Sequence, residues 1–204
     1  MTHTSQRVVR NAVARQYFLA MREVLGKKSL NDSLISVNLD RFIARFPGTD
    51  LQIAMTSHEF ANLVAKIEHS YGDKGDEIMQ RIGVAFFQLT LRDRSVLINI
   101  AGNLLSRLPK DRRVQLTLES LINALKKADP DADIWMEERD GSFAYVERIC
   151  PICSGRISSQ PVCKLMVGIL QAALRWSSEE SYQIVETHCI AKGDTFCRFT
   201  MKII

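Results

Sequence analysis

The sequence predicts an α+β fold, with a helical half over residues 1–129 and a half built on antiparallel strands over 130–204. Three observations predict it. Apolar residues recur at helical spacing through the first half. Period-two alternation replaces them beyond Pro130, and turn-forming pairs separate the alternating runs. Helices first, then two hairpins flanking one helix, is an α+β arrangement. The connection near residue 130 is short, so the chain reads as a single domain over 1–204.

The elements follow in order. Val9, Val13, Ala20 and Val24 form an apolar stripe that starts near Ser5 and stops at Gly26. Asn31-Asp32 and Pro47-Gly48 are turn signals around a short helix-like segment, LDRFIARF. Thr56 and Glu59 are spaced as a capping box for a helix that carries Phe60, Leu63, Val64 and Ile67 and ends near Tyr71-Gly72. Ile78, Ile82, Phe86 and Phe87 mark the next helix, and residues 93–107 and 111–127 read as two more, parted at Pro109. Beyond Pro130, ADIWMEER and SFAYVERI make a hairpin around Asp140-Gly141. Residues Gln160 to Trp176 read as a helix with Pro161 in its first turn. SYQIVETHC and FCRFTMKII then pair across Lys192-Gly193-Asp194.

With 46% hydrophobic and 25% charged residues, the composition is that of a soluble globular protein. The net charge of +4 is spread without a basic stripe, so no nucleic-acid partner is expected. The longest nearly apolar run, Leu165 to Leu174, is too short to span a bilayer, and the N-terminus has no signal-peptide core. A cytoplasmic protein is expected, in which thiols stay reduced. All five cysteines lie in the last third of the chain, which argues for metal or redox chemistry rather than a disulfide framework.

Cys189 ends one strand and Cys197 opens its partner, so a hairpin brings their sulfurs close. Cys163 lies at the start of the preceding helix, where the helix N-terminus favours a thiolate. Glu186 stands three residues before Cys189. On a regular strand that odd spacing points the two side chains to opposite faces, so both reach one metal only if the strand bends between them. His188 shares the face of Glu186 and is a substitute ligand. Cys150 and Cys153 form a C-x-x-C pair that reads as a zinc knuckle, as a thiol-exchange motif, or as two reduced thiols packed near the site. The sequence leaves open whether Glu186 or one of these thiols completes the metal site.

ETHCIAKGDTFCRF, following PVCKLMVGILQAAL, resembles the signature of the 4-vinyl reductase domain family, most specifically over residues 150–204. More weakly, EFANLVAKIEHSYGDKGDEIMQRIGVAFF resembles the family's helical half. The resemblance implies a fold like that of TRAPP trafficking subunits, a homodimer, and an apolar cavity for a hydrophobic small molecule. It also implies a zinc held by Cys163, Glu186, Cys189 and Cys197. Four protein ligands leave no open position, so that zinc is structural. Trp135, Phe143, Tyr145, Val167, Leu170 and Trp176 are candidates to line the cavity.

No nucleotide loop, nucleophile elbow or metalloprotease helix occurs, so no catalytic residue is assigned and the reading leans away from an enzyme. The expected function is a zinc-stabilised sensory or carrier domain for a hydrophobic ligand, passing any signal to a separate partner. A tetrapyrrole-pathway vinyl reductase or pigment carrier is the alternative, and a dimeric scaffold the second.

Overall fold

A computed structural model of the chain describes residues 7–92, 108–139, 142–178 and 181–203. The helix expected over 93–107 and the Asp140-Gly141 turn lie outside the described residues. In chain order the elements are β1 (Val8–Arg10), α1 (Asn11–Ser36), β2 (Ile53–Thr56), α2 (Ser57–Ser70), α3 (Gly75–Arg92) and α4 (Lys110–Ala128). They continue with β3 (Ile134–Arg139), β4 (Ser142–Glu147), α5 (Lys164–Ser178), β5 (Tyr182–His188) and β6 (Cys197–Ile203). Helices packed on antiparallel sheet make this an α+β protein.

The helical half is organised by aromatic packing. Tyr17 of α1 lies 4.6 Å from the Phe60 ring of α2 and 4.5 Å from the Phe86 ring of α3, centroid to centroid. Phe18, Met21, Phe60, Leu63 and Met79 are fully buried around them. The capping box at the start of α2 is present: Glu59 N–H donates to Thr56 Oγ1 at 3.1 Å, and Thr56 N–H donates to Glu59 Oε2 at 2.8 Å.

Three local expectations are corrected here. Gly26 leaves helical geometry (φ 79°, ψ 162°) yet does not end the helix, because Leu30 and Leu34 continue the buried stripe beyond the kink. Val9 belongs to a strand, since β1 pairs antiparallel with β2 (Val9 opposite Met55). That pairing joins segments far apart in sequence, for which no local pattern exists. LDRFIARF supplies only a 3-10 turn at Asp40–Phe42, and Phe42 is buried 5.2 Å from Phe18.

The second half is one four-stranded antiparallel sheet in the order β3-β4-β6-β5. Its inner face carries Phe143, Tyr145, Glu147, Cys197, Phe199, Ile184 and Glu186, all buried. Helix α5 packs against β5, α3 and α4. Gly83 of α3 and Gly168 of α5 face each other so closely that a Cβ on either would strike the other helix's backbone, at Leu165 O or Gln80 O. α5 begins at Lys164 rather than at Gln160. Residues 158–162 instead run extended beside the last hairpin, with Ser158 N–H bonded to Ala191 O at 2.8 Å, and this delivers Cys163 to the end of the sheet.

Candidate metal centre

Four elements converge where the sheet ends. After β4, residues 150–156 form consecutive tight turns, with Cys153 N–H donating to Cys150 O (3.3 Å) and Arg156 N–H to Cys153 O (3.0 Å). Cys163 is the residue whose carbonyl accepts the first α5 bonds, from Met166 and Val167. Cys189 precedes a 3-10 turn (Ile190–Lys192) that closes through Gly193 at φ 97°, and Asp194 Oδ2 accepts from Cys189 N–H at 2.7 Å. Cys197 opens β6.

The bend that the Glu186–Cys189 spacing requires is a β-bulge. Glu186 pairs with Phe199 and His188 with Arg198, so Thr187 is the extra residue on β5. An extra residue breaks the strict alternation. Glu186 and Cys189 therefore both turn inward and are buried, while Thr187 and His188 are exposed.

Ligand atoms of Cys153, Cys163, Glu186, Cys189 and Cys197 all lie within 4.8 Å of one another, and all five residues are buried. Cys153 Sγ sits 3.1 Å from Cys163, 3.6 Å from Cys189 and 3.4 Å from Cys197, and Cys163 lies 3.9 Å from Cys197. At the usual zinc–sulfur length, thiolates at the corners of a tetrahedron stand about 3.8 Å apart. The spacing thus fits one ion of that kind, too tight for a multi-iron cluster between the same sulfurs. The chemistry fits as well, since buried thiols with a backbone donor, Ile190 N–H to Cys197 Sγ at 3.4 Å, suit a soft cation. Burial pushes the Cys163 thiol well above its ordinary range, so an ion must displace a proton held there.

Glu186 divides its carboxylate. Oε2 accepts from Cys163 N–H at 2.8 Å, and Oε1 is buried without a hydrogen-bond partner among the described residues. Burial, then the adjacent Cys189 thiol, pushes its pKa up to about 8. Cys150 stands at the margin, 3.6 Å from Cys163 and outside the group of five. His188 is not gathered: it is exposed, 5.2 Å from the Phe196 ring.

The match that bears on this geometry is a family match: the 4-vinyl reductase domain aligns with residues 146–203. This segment belongs to the 4-vinyl reductase domain family. It contains the last strand of the first hairpin from Val146, the thiol loop, α5 and the β5–β6 hairpin, so every member of the five-residue group lies inside it. No curated protein is similar in sequence. Solved structures of similar fold include the Fe(II) unliganded H-NOX protein from K. algicida, with TM-score 0.62 at 11% identity over 96% of both chains. An oxygen-binding H-NOX domain related to soluble guanylate cyclases gives 0.59 at 13%, covering 95% of this chain and 93% of that one. The S. oneidensis H-NOX in its Fe(II)NO state gives 0.52 at 12%, covering 91% and 98%. At such identities the likeness is one of fold.

Heme, whose redox potential is modulated through porphyrin distortion in another protein of similar fold, does not fit the residues of this chain. Two cavities bordered by described residues measure about 30 and 210 Å³, below the roughly 300–1,000 Å³ usual for cofactor pockets. The described histidines, His58, His69 and His188, are all exposed.

Of the residues proposed to line an apolar cavity, Tyr145 borders the smaller one. Phe143, Val167 and Leu170 are packed in the core, Trp176 lies 6.5 Å from Phe87, and Trp135 sits beneath Arg148 and beside Phe196. The sequence reading missed a buried ionic group next to that cavity. Arg7 donates to Asp129 Oδ2 at 2.8 Å, to Glu147 Oε1 at 2.5 Å and to Ile149 O. A signal was available: Phe143, Tyr145 and Glu147 alternate on one face, and a carboxylate at a core position demands a cationic partner.

Proposed function

We propose that this chain is a small-molecule-sensing module whose C-terminal half is clamped by one structural zinc ion in a tetrathiolate site. The observation that carries the metal reading is the set of sulfur–sulfur distances from Cys153 to Cys163, Cys189 and Cys197. Cys153 is the fourth ligand in this reading. Glu186 stands behind the site, holding the Cys163 amide, where it orients a ligand rather than supplying one. Four protein ligands leave no position for a substrate, so the ion supplies folding free energy rather than catalysis. The sensing part rests on the 4-vinyl reductase domain segment and on the fold shared with H-NOX domains. A mostly apolar ligand, pairing of two chains and a separate signalling partner belong to the same reading.

The test is metal content per chain, by plasma mass spectrometry, across four variants. One zinc per chain is expected in the wild type, in Glu186→Gln and in Cys150→Ser, and loss of most of it in Cys153→Ser and Cys163→Ser. Cobalt substitution gives a second reading, because four thiolates produce a stronger sulfur-to-cobalt absorption than three. Zinc retained in Cys153→Ser but lost in Glu186→Gln would replace the tetrathiolate by a three-cysteine, one-glutamate site. No metal in the wild type would remove the clamp altogether.

A further inference from the structure

Away from the thiol group, a cleft of about 30 Å³ lies between β1, the first turns of α1, the end of α4, β4 and the start of α5. Val9, Val13, Tyr17, Leu125 and Met166 give it apolar walls, and Arg7, Arg10, Asp129, Tyr145 and Glu147 give it polar ones. Three buried polar atoms on those walls have no hydrogen-bond partner among the described residues: Tyr145 Oη, Glu147 Oε2 and Arg10 Nε. Tyr145 and Glu147 are 0% and 2% exposed. Buried polar groups are nearly always satisfied, so three such atoms around one cleft mark a place built to hold something polar.

The chemistry of the occupant follows from the walls. Two guanidiniums, Arg7 and Arg10, face two carboxylates, Asp129 and Glu147, with Arg7 bonded to both acids and Arg10 Nε 3.8 Å from Asp129 Oδ1. The formal charges cancel, so an ion entering the cleft would find no uncompensated countercharge. Arg10 Nε–H and the Tyr145 hydroxyl offer hydrogens, while Glu147 Oε2 takes one. A group that both accepts and donates satisfies all three. The volume admits little beyond such a head group, with a short apolar tail lying against Val13 and Leu125. We propose that this cleft binds the polar head of a small neutral molecule, a primary amide or an alcohol on a short apolar body. The inference rests on the sensing reading and names where and by what chemistry the ligand is held.

Propionamide is the probe, with propionate and propylammonium as charged isosteres. Titrations are followed by ¹H–¹⁵N NMR at the Tyr145 and Glu147 amides and at the Arg10 Nε–H. Saturable shifts of all three signals by propionamide are expected, with at least tenfold weaker binding of both charged isosteres. Tyr145→Phe, which removes one oxygen, should weaken propionamide binding by roughly tenfold, of the order of one hydrogen bond. Val13→Phe, which fills the apolar wall while leaving the polar atoms in place, should abolish it; zinc content should be unchanged in both. Absence of saturable shifts at these positions, equal binding of propionate, or unchanged affinity in both variants would each overturn the proposal. If an apolar compound shifts other residues but not these, the cleft assignment fails and the sensing reading stands. If no small molecule shifts any residue, both fail.

Discussion

Glu147 shows how a single residue carries a pH dependence. Burial pushes its pKa from the ordinary 4.5 up to about 8; Cys150 adds to the rise, and the Arg7 guanidinium opposes it. The fold thus favours the neutral acid. The stabilisation is complete below about pH 4.5 and is lost as pH rises through about 8. Urea midpoints of the wild type should therefore fall relative to those of Glu147→Gln across that window, the amide having no proton to lose. A difference that stays flat from pH 4.5 to 8.5 would show that the carboxylate is ionised throughout. At this scale the sequence was partly legible. Cys163, Cys189 and Cys197 stood out by spacing, and Glu186 by the family pattern. The role of Cys153 was not, because C-x-x-C fixes where two thiols are along the chain but not which of them turns toward sulfurs on distant segments. Arg7 was invisible for the same reason: its partners are Asp129 and Glu147, over a hundred positions away.

At the scale of elements, the closest approach in the molecule is between α3 and α5, where two glycines let the backbones meet. No side chain can be added there without parting the helices, since the atoms that a new Cβ would strike are main-chain ones. Gly168→Ala should cost about 1–3 kcal/mol, the usual penalty for overpacking, even though alanine is the better helix former by about 1 kcal/mol. Gly26 offers the contrast. Its surroundings leave open space for a Cβ, so any cost of Gly26→Ala comes from the φ of 79° alone. Chemical denaturation of the two variants separates crowding from backbone strain, and a neutral Gly168→Ala would mean that the helices slide apart freely. Most elements were legible at this scale because periodicity and caps act locally, as at Thr56 and Glu59. The β1–β2 pair and the bulge at Thr187 were not, since both come from partners supplied by the rest of the chain.

Over the whole molecule, the segment from Glu147 to Arg156 links three regions. Its first residue borders the polar cleft, and Ile149 O is held by Arg7 of the N-terminal segment. Cys153 enters the thiol group, and beyond it the loop docks on the helical half: Arg156 pairs with Glu68 at 2.5 Å, both largely shielded, and the His58 ring packs on Gly155. Removing the metal should therefore not act uniformly. Residues 150–163 and 186–197 lose what joins them, and like-sign thiolates or costly buried thiols remain in its place. The core around Phe18, Phe60 and Phe86 holds itself by aromatic and aliphatic packing that touches no sulfur of the group. Hydrogen exchange on protein treated with a strong chelator under reducing conditions should show the largest loss of protection at 150–163 and 186–197. A smaller loss is expected in the last turns of α2 around Glu68, and α1 should stay near its metal-loaded protection, as separate cooperative units allow. If instead α1 and α2 lose protection together with the hairpin, the clamp governs the whole fold and the helical half has no stability of its own. If no segment changes, the thiols hold their arrangement by packing alone and the ion contributes nothing to it.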